Sequence, residues 1–140
     1  MSVRNQNLET IAPIYATYNI HQTTGSDDIV DADIGKAAKL TGDFEVGPAT
    51  DGTAIIGKIV ALSLTDADVG KRTVTVQIGG VMSMPITTSY PAVGDRIVGG
   101  ASGTVKKAPA LTGNDPAGGN IARGTVLAVD GTSNCTAYLP

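Results

Sequence analysis

Apolar and polar residues alternate with a period of two along much of this chain. The clearest stretch is Arg72 to Ile78, where Val74, Val76 and Ile78 alternate with Thr73, Thr75 and Gln77. Successive side chains of a strand point to opposite faces, so this run predicts a strand with one core face and one face toward solvent or a partner. Comparable runs recur at Lys36 to Thr41, Ala54 to Leu64, Val81 to Ile86, Asp95 to Val98, Thr104 to Lys107, Ile121 to Val129 and Thr132 to Leu139. Short strands at this spacing, with turn residues between them, predict a sandwich or a barrel. The last two runs flank Asp130-Gly131 and read as a hairpin on a two-residue primed turn. Gly99-Gly100-Ala101-Ser102-Gly103 reads as a second hairpin turn, and longer loops are expected at 47–52 and 111–120. The predicted core comprises Ile55, Ile59, Val74, Val76, Ile78, Ile97, Val126 and Val129.

The beginning of the chain reads differently. Residues 1–30 are expected to form an extended N-terminal arm ahead of a β-domain over 31–140. Pro13 lacks a backbone donor, so a strand containing it belongs at an edge or outside the sheet. From there Ile14, Ala16, Tyr18 and Ile20 alternate with Tyr15, Thr17 and Asn19, a strand that can pair within its own subunit or with a neighbour. Apolar groups on an arm need a partner surface, and tyrosine offers large contact area with few rotatable bonds. Ile11, Pro13, Ile14, Tyr15 and Tyr18 are therefore the expected partner-binding residues.

Composition reinforces the strand reading. The 140 residues include 17 Thr, 13 Val and 12 Ile against 7 Leu, and β-branched side chains suit a pleated surface better than a helix. The 18 Gly and 7 Pro fall between the β-branched runs, as turn punctuation does. The expected fold class is all-β: a small β-barrel or compact β-sandwich with the N-terminal arm.

Charge and chemistry narrow the function. Ten basic and 13 acidic residues give a net charge of -3, with no basic patch beyond Lys71-Arg72 and Lys106-Lys107, which disfavours nucleic acid as partner. Phe44 and four Tyr leave little for stacking bases or sugars. No apolar run approaches a membrane span, and no signal-peptide pattern opens the chain. One His and one Cys provide no zinc set, and His21 lies in a polar stretch as a surface residue. Cys135 is expected in the core. Asp27, Asp28, Asp31 and Asp33 crowd seven positions, but without the mid-loop Gly and closing Glu of a helix-loop-helix calcium site they read as a solvated acidic turn. Gly35-Lys36 and Gly70-Lys71 each miss two positions required of a phosphate-binding loop. A short echo joins Asp31 to Lys36 with Asp66 to Lys71 and reads as a recurring turn. No catalytic, cofactor-binding or metal-binding residue is expected, and no enzymatic activity.

Several segments carry a family pattern in order. They are Ile55-Ile56-Gly57-Lys58-Ile59-Val60, then Ala67 through Val81 running on to Pro85, then Tyr90-Pro91-Ala92-Val93-Gly94-Asp95-Arg96-Ile97-Val98, followed by Gly103-Thr104-Val105-Lys106, Arg123-Gly124-Thr125-Val126-Leu127-Ala128 and Cys135-Thr136-Ala137-Tyr138-Leu139. Together, over about residues 36 to 140, they resemble the decoration or cement proteins of tailed-bacteriophage heads. The resemblance implies a β-barrel-like domain on the outer surface of the virion capsid, made in the host cytoplasm. It implies a homotrimer that clamps neighbouring major capsid subunits and uses no cofactor. The residues before 30 and the insertion from Gly113 to Asn120 depart from the family pattern. The alternative expectation is a receptor- or glycan-binding β-module of a phage head or tail fibre. A carrier domain bearing a modified lysine is a third.

Overall fold

The structure, a computed structural model, describes residues 13–64, 71–110, 112–113 and 121–140. The alternating runs become strands β1 (Ile14–Ile20), β2 (Gln22–Thr23), β3 (Ser26–Asp27), β4 (Ala37–Gly42), β5 (Glu45–Pro48), β6 (Gly57–Leu62), β7 (Thr73–Pro85), β8 (Ile97–Gly99), β9 (Val105–Lys107), β10 (Thr125–Asp130) and β11 (Asn134–Leu139). The only helical pieces among the described residues are two three-residue 3-10 turns, at Asp31–Asp33 and Ala101–Gly103. The all-β expectation holds.

Strands β1, β5, β4, β6 and β7 lie side by side, and β1 pairs back onto β7, so five strands close into a barrel. Strand β7 is 13 residues long and outruns the barrel. Its first half pairs with β1 and β6, and its second half with β11, which carries β10 as a hairpin. The two runs expected as separate strands, 72–78 and 81–86, are thus one strand. The break in pattern at Gly79-Gly80, where Gly80 takes φ +96°, marks its passage from one packing layer to the other.

Two apolar clusters follow from this arrangement. Ile20, Ile29, Ala38, Val46, Ile59, Val74 and Val76 form one core, with Tyr18, Ile56, Leu62 and Ile78 packed against it. The other holds Ala37, Ile55, Met82, Met84, Ile97, Val126, Cys135, Ala137 and Leu139 among its members, with Val129 packed against it. Neighbouring residues of β4, Ala37 and Ala38, enter different cores because a strand points them to opposite faces. Of the predicted core, Ile55, Ile59, Val74, Val76, Ile97 and Val126 are buried, while Ile78 and Val129 are half-buried. Gln77, expected on the polar face, is only 5% exposed, and its amide donates to the Gly79 and Val81 carbonyls at 3.1 and 3.3 Å.

Two devices pin β6 to β7. Gly57 lies so near β7 that a Cβ there would sit 1.9 Å from the Gln77 carbonyl oxygen. Arg123 crosses below, donating to the carbonyls of Ile56 and Ile78 at 2.6 Å each and to Pro140 O at 3.1 Å. Burial lowers the affinity of this guanidinium for its proton, and the nearby Tyr18 phenol opposes that. Three oxygen acceptors satisfy a charge that would otherwise be costly to desolvate.

Other expectations need correction. The segment from Ile14 to Asp27 is not part of an arm: β1 is a wall of the barrel, and the β2–β3 hairpin follows it directly. Its alternation places Ile20 in a core and leaves Tyr15, Thr17 and Asn19 exposed, which suits a barrel strand as well as an arm. The final hairpin pairs Asp130 with Asn134 around a three-residue loop, in which Gly131 supplies the positive φ, rather than a two-residue primed turn. The loop expected at 47–52 begins later, because Pro48 ends β5, a strand too short to register as alternation. The 99–103 turn does join β8 to β9. The 111–120 loop and the second copy of the echo fall mainly outside the described residues.

Two stability measurements check this architecture. Deleting residues 1–26 removes β1, and we expect loss of cooperative thermal unfolding rather than a stable smaller domain. Gly57→Ala forces two backbones apart and is expected to cost more than about 2 kcal/mol, against roughly 2 kcal/mol for Val76→Ala, read by denaturant titration.

Candidate functional site

The barrel closes unevenly. On one side β1 meets β7 over six residue pairs, from Ile14 with Gly79 to Asn19 with Thr73. On the other it meets β5, in parallel, over two, Asn19 with Glu45 and Ile20 with Val46. The seam is held by the Asn19 amide donating to the Phe44 carbonyl at 2.8 Å and the His21 amide donating to the Val46 carbonyl at 2.9 Å. Along a strand, the backbone groups of successive residues face opposite edges, so those of every second residue face the same one. Since Asn19 and His21 face β5, Tyr15 and Thr17 face the same way, below the point where β5 begins. No described residue pairs with them there.

Exposed large apolar side chains stand at both ends of this gap, Ile14 and Tyr15 at the start of β1 and Phe44 beside Asn19. Ile14 is 56% exposed, Tyr15 55% and Phe44 77%. Phe44 stands at the tip of the β4–β5 hairpin with φ +50°, a left-handed conformation uncommon for an aromatic residue. The hairpin tip therefore seals the seam with its carbonyl and presents its ring outward.

Of the partner-binding residues expected from sequence, Pro13, Ile14 and Tyr15 are exposed and contiguous at the start of β1. Tyr18 is half-buried and packs against the barrel core. Ile11 lies outside the described residues. Phe44 was missed, although it is the chain's only Phe and stands in Gly42-Asp43-Phe44-Glu45, where no alternating pattern calls for an apolar side chain. An aromatic ring in a turn was the available signal.

The acidic run does not converge. Asp28 Oδ2 lies 2.6 Å from His21 Nδ1, Asp27 accepts from Gln22 at 2.9 Å, Asp31 pairs with Arg72 at 2.7 Å and Asp33 with Lys36 at 3.1 Å. Asp33 also accepts from the Val30 amide at 2.9 Å. Each carboxylate thus has its own protein partner, and among the described residues no group of three His, Cys, Asp or Glu is placed to hold a metal. Hydrogen bonds from His21, and then Thr23, hold the Asp28 carboxyl below its ordinary range. A shallow polar cleft beside this hairpin is lined by His21, Gln22, Asp27, Glu45, Lys71 and Arg72, with no aromatic side chain for a sugar to stack on. Cys135 is buried in the second core, and burial pushes its thiol up to about 11, which leaves little thiolate for nucleophilic work. No helix among the described residues is long and apolar enough to cross a membrane.

A scan against protein-family models, a search of curated proteins and a search of solved structures found no match to this chain.

The Asp28 interaction has a defined pH signature. A carboxyl whose folded pKa is depressed contributes stability that is fully present above its unfolded value, 3.8, and is lost as pH falls through the lower folded value. The Asp28 carboxylate's contribution should therefore fall away as pH drops below 3.8, so that the stability difference between the parent chain and Asp28→Asn shrinks in stronger acid, as measured by urea unfolding at stepped pH.

Proposed function

We propose that this chain is a structural virion protein that binds the outer surface of an assembled tailed-phage capsid and stabilises it by clamping neighbouring major capsid subunits. The observation that carries this reading is the exposure of Ile14 and Tyr15 at one end, and of Phe44 at the other, of the unpaired stretch of the β1–β5 seam of a closed barrel. Soluble domains leave single apolar residues in water routinely, but several large ones along one unpaired stretch of a seam favour an interaction surface there. The resemblance of residues 36 to 140 to cement proteins supplies the partner, the major capsid protein.

The mechanism needs no reaction. A ligand that binds the assembled shell and not its loose subunits stabilises the shell by its own binding free energy, repeated over many sites. A closed homotrimer would match the threefold positions of such a shell, so that three copies of the seam engage three neighbouring subunits at once. Rigidity favours this role, since a barrel closed by β1 loses little conformational freedom on docking.

Co-sedimentation with purified empty heads of the parent phage tests the proposal. We expect saturable binding and a higher melting temperature of the decorated shell; heads that neither retain the protein nor gain stability would remove the reading. Tyr15→Ala and Phe44→Ala should each weaken binding by roughly tenfold to a hundredfold, about 1.4 to 2.8 kcal/mol. Unchanged affinity in both would move the interface off the seam, and binding to a glycan array with none to heads would favour the receptor-binding alternative.

A further inference from the structure

Tyr15 and Thr17 each turn a backbone N–H and C=O away from β7, toward the side where β5 lies two rungs further along. No described residue pairs with them there, so among the described residues these two donors and two acceptors make a short open sheet edge. It runs from Ile14 to Tyr18, about 16 Å at the usual rise of a strand. Soluble proteins guard such edges with charged side chains or proline. The segment Ile14-Tyr15-Ala16-Thr17-Tyr18 carries neither, and Pro13 stands just outside it.

We infer that this edge is a strand-addition site that takes an extended segment of a partner protein, seated in line with β5 and stopped by the hairpin tip at Phe44. The inference rests on reading the chain as a docking protein and names the form of the contact. The edge itself specifies the form of the occupant, because another extended backbone is the protein element that replaces water on two N–H and two C=O groups at this spacing. Its alternation is specified as well. Side chains of the added strand that point with Ala16 and Tyr18 meet the half-buried, apolar inner side of the barrel. Those that point the other way lie beside Tyr15 and Thr17, in water. The expected segment is thus about five residues long and uncharged, with apolar and small polar residues in alternation. The parallel pairing of β1 with β5 shows that this edge already accepts a strand two rungs further along.

The experiment uses the full chain and an array of immobilised seven-residue peptides with alternating β-branched and polar residues. Thr17→Pro removes the Thr17 N–H, which makes no ladder bond to β7, so the variant should keep the parent's far-ultraviolet spectrum and melt within a few degrees of it. We expect it to lose at least tenfold in peptide binding, whereas Thr17→Val, which keeps the amide, binds the parent's set. Amide exchange supplies a reading independent of the variants. The Tyr15 and Thr17 amides should exchange fast in the free protein and be protected by a bound peptide, while those of Ala16 and Tyr18 are protected throughout. No peptide protecting those two amides, or a folded Thr17→Pro that binds as the parent does, would overturn the inference. Co-sedimentation with heads separates this from the functional proposal. Equal binding of parent and Thr17→Pro to heads means docking without strand addition, and peptide protection without head binding removes the capsid alone.

Discussion

Both apolar cores depend on β7 as a shared wall. Val74 and Val76 fill the barrel, Met82 and Met84 fill the second layer, and the same backbone carries all four. Its ladder bonds join β1 and β6 along the first half and β11 along the second. A strand held at both ends in this way cannot shift register by one residue without turning two sets of core side chains outward. The Gly57 contact and the grip of Arg123 on the Ile56 and Ile78 carbonyls lie beside the Gly79-Gly80 break in β7, where the two layers meet.

Period-two patterning made most of this visible in advance. Lys36 to Thr41 appears within a residue of its expected bounds as β4, and the run from Arg72 starts β7 where expected, with Val74 and Val76 buried and Thr73 and Thr75 less so, although the strand continues to Pro85. Where burial is on both faces, the pattern blurs. Gln77 looked polar and outward, yet its amide finds two carbonyls and it is covered. Val81 and Met82 are adjacent and both buried, which no alternation can encode. Strand β5 was missed for the opposite reason: four residues, one of them Pro48 and another Gly47, give the period no room.

The candidate surface was legible only in part, and for a physical reason. Ile14 and Tyr15 stood out as apolar groups in a polar segment, and they are exposed. That β1 closes a barrel rather than trailing from it depends on pairing with residues far along the chain, and local sequence does not record its partner. Tyr18 is half-buried against the barrel core, and the alternation that separates it from Tyr15 says nothing about which side holds that core. Phe44 contributes through a left-handed turn conformation, a property of the hairpin and not of any periodicity.

The first strand of the chain finds its long ladder on the seventh. Tyr15 pairs with Gln77, 62 positions later, while its nearer neighbour β5 offers two rungs. Bringing such distant segments together costs loop-closure entropy before any contact repays it, so the barrel should close late and slowly compared with the local β4–β5 and β10–β11 hairpins. During synthesis, β1 leaves the ribosome well before its partner exists, with Ile14, Tyr15, Tyr18 and Ile20 uncovered. Unfinished chains would meet one another in that interval, and an uncharged strand whose Tyr15 and Thr17 edge no described residue covers is prone to pair wrongly beforehand.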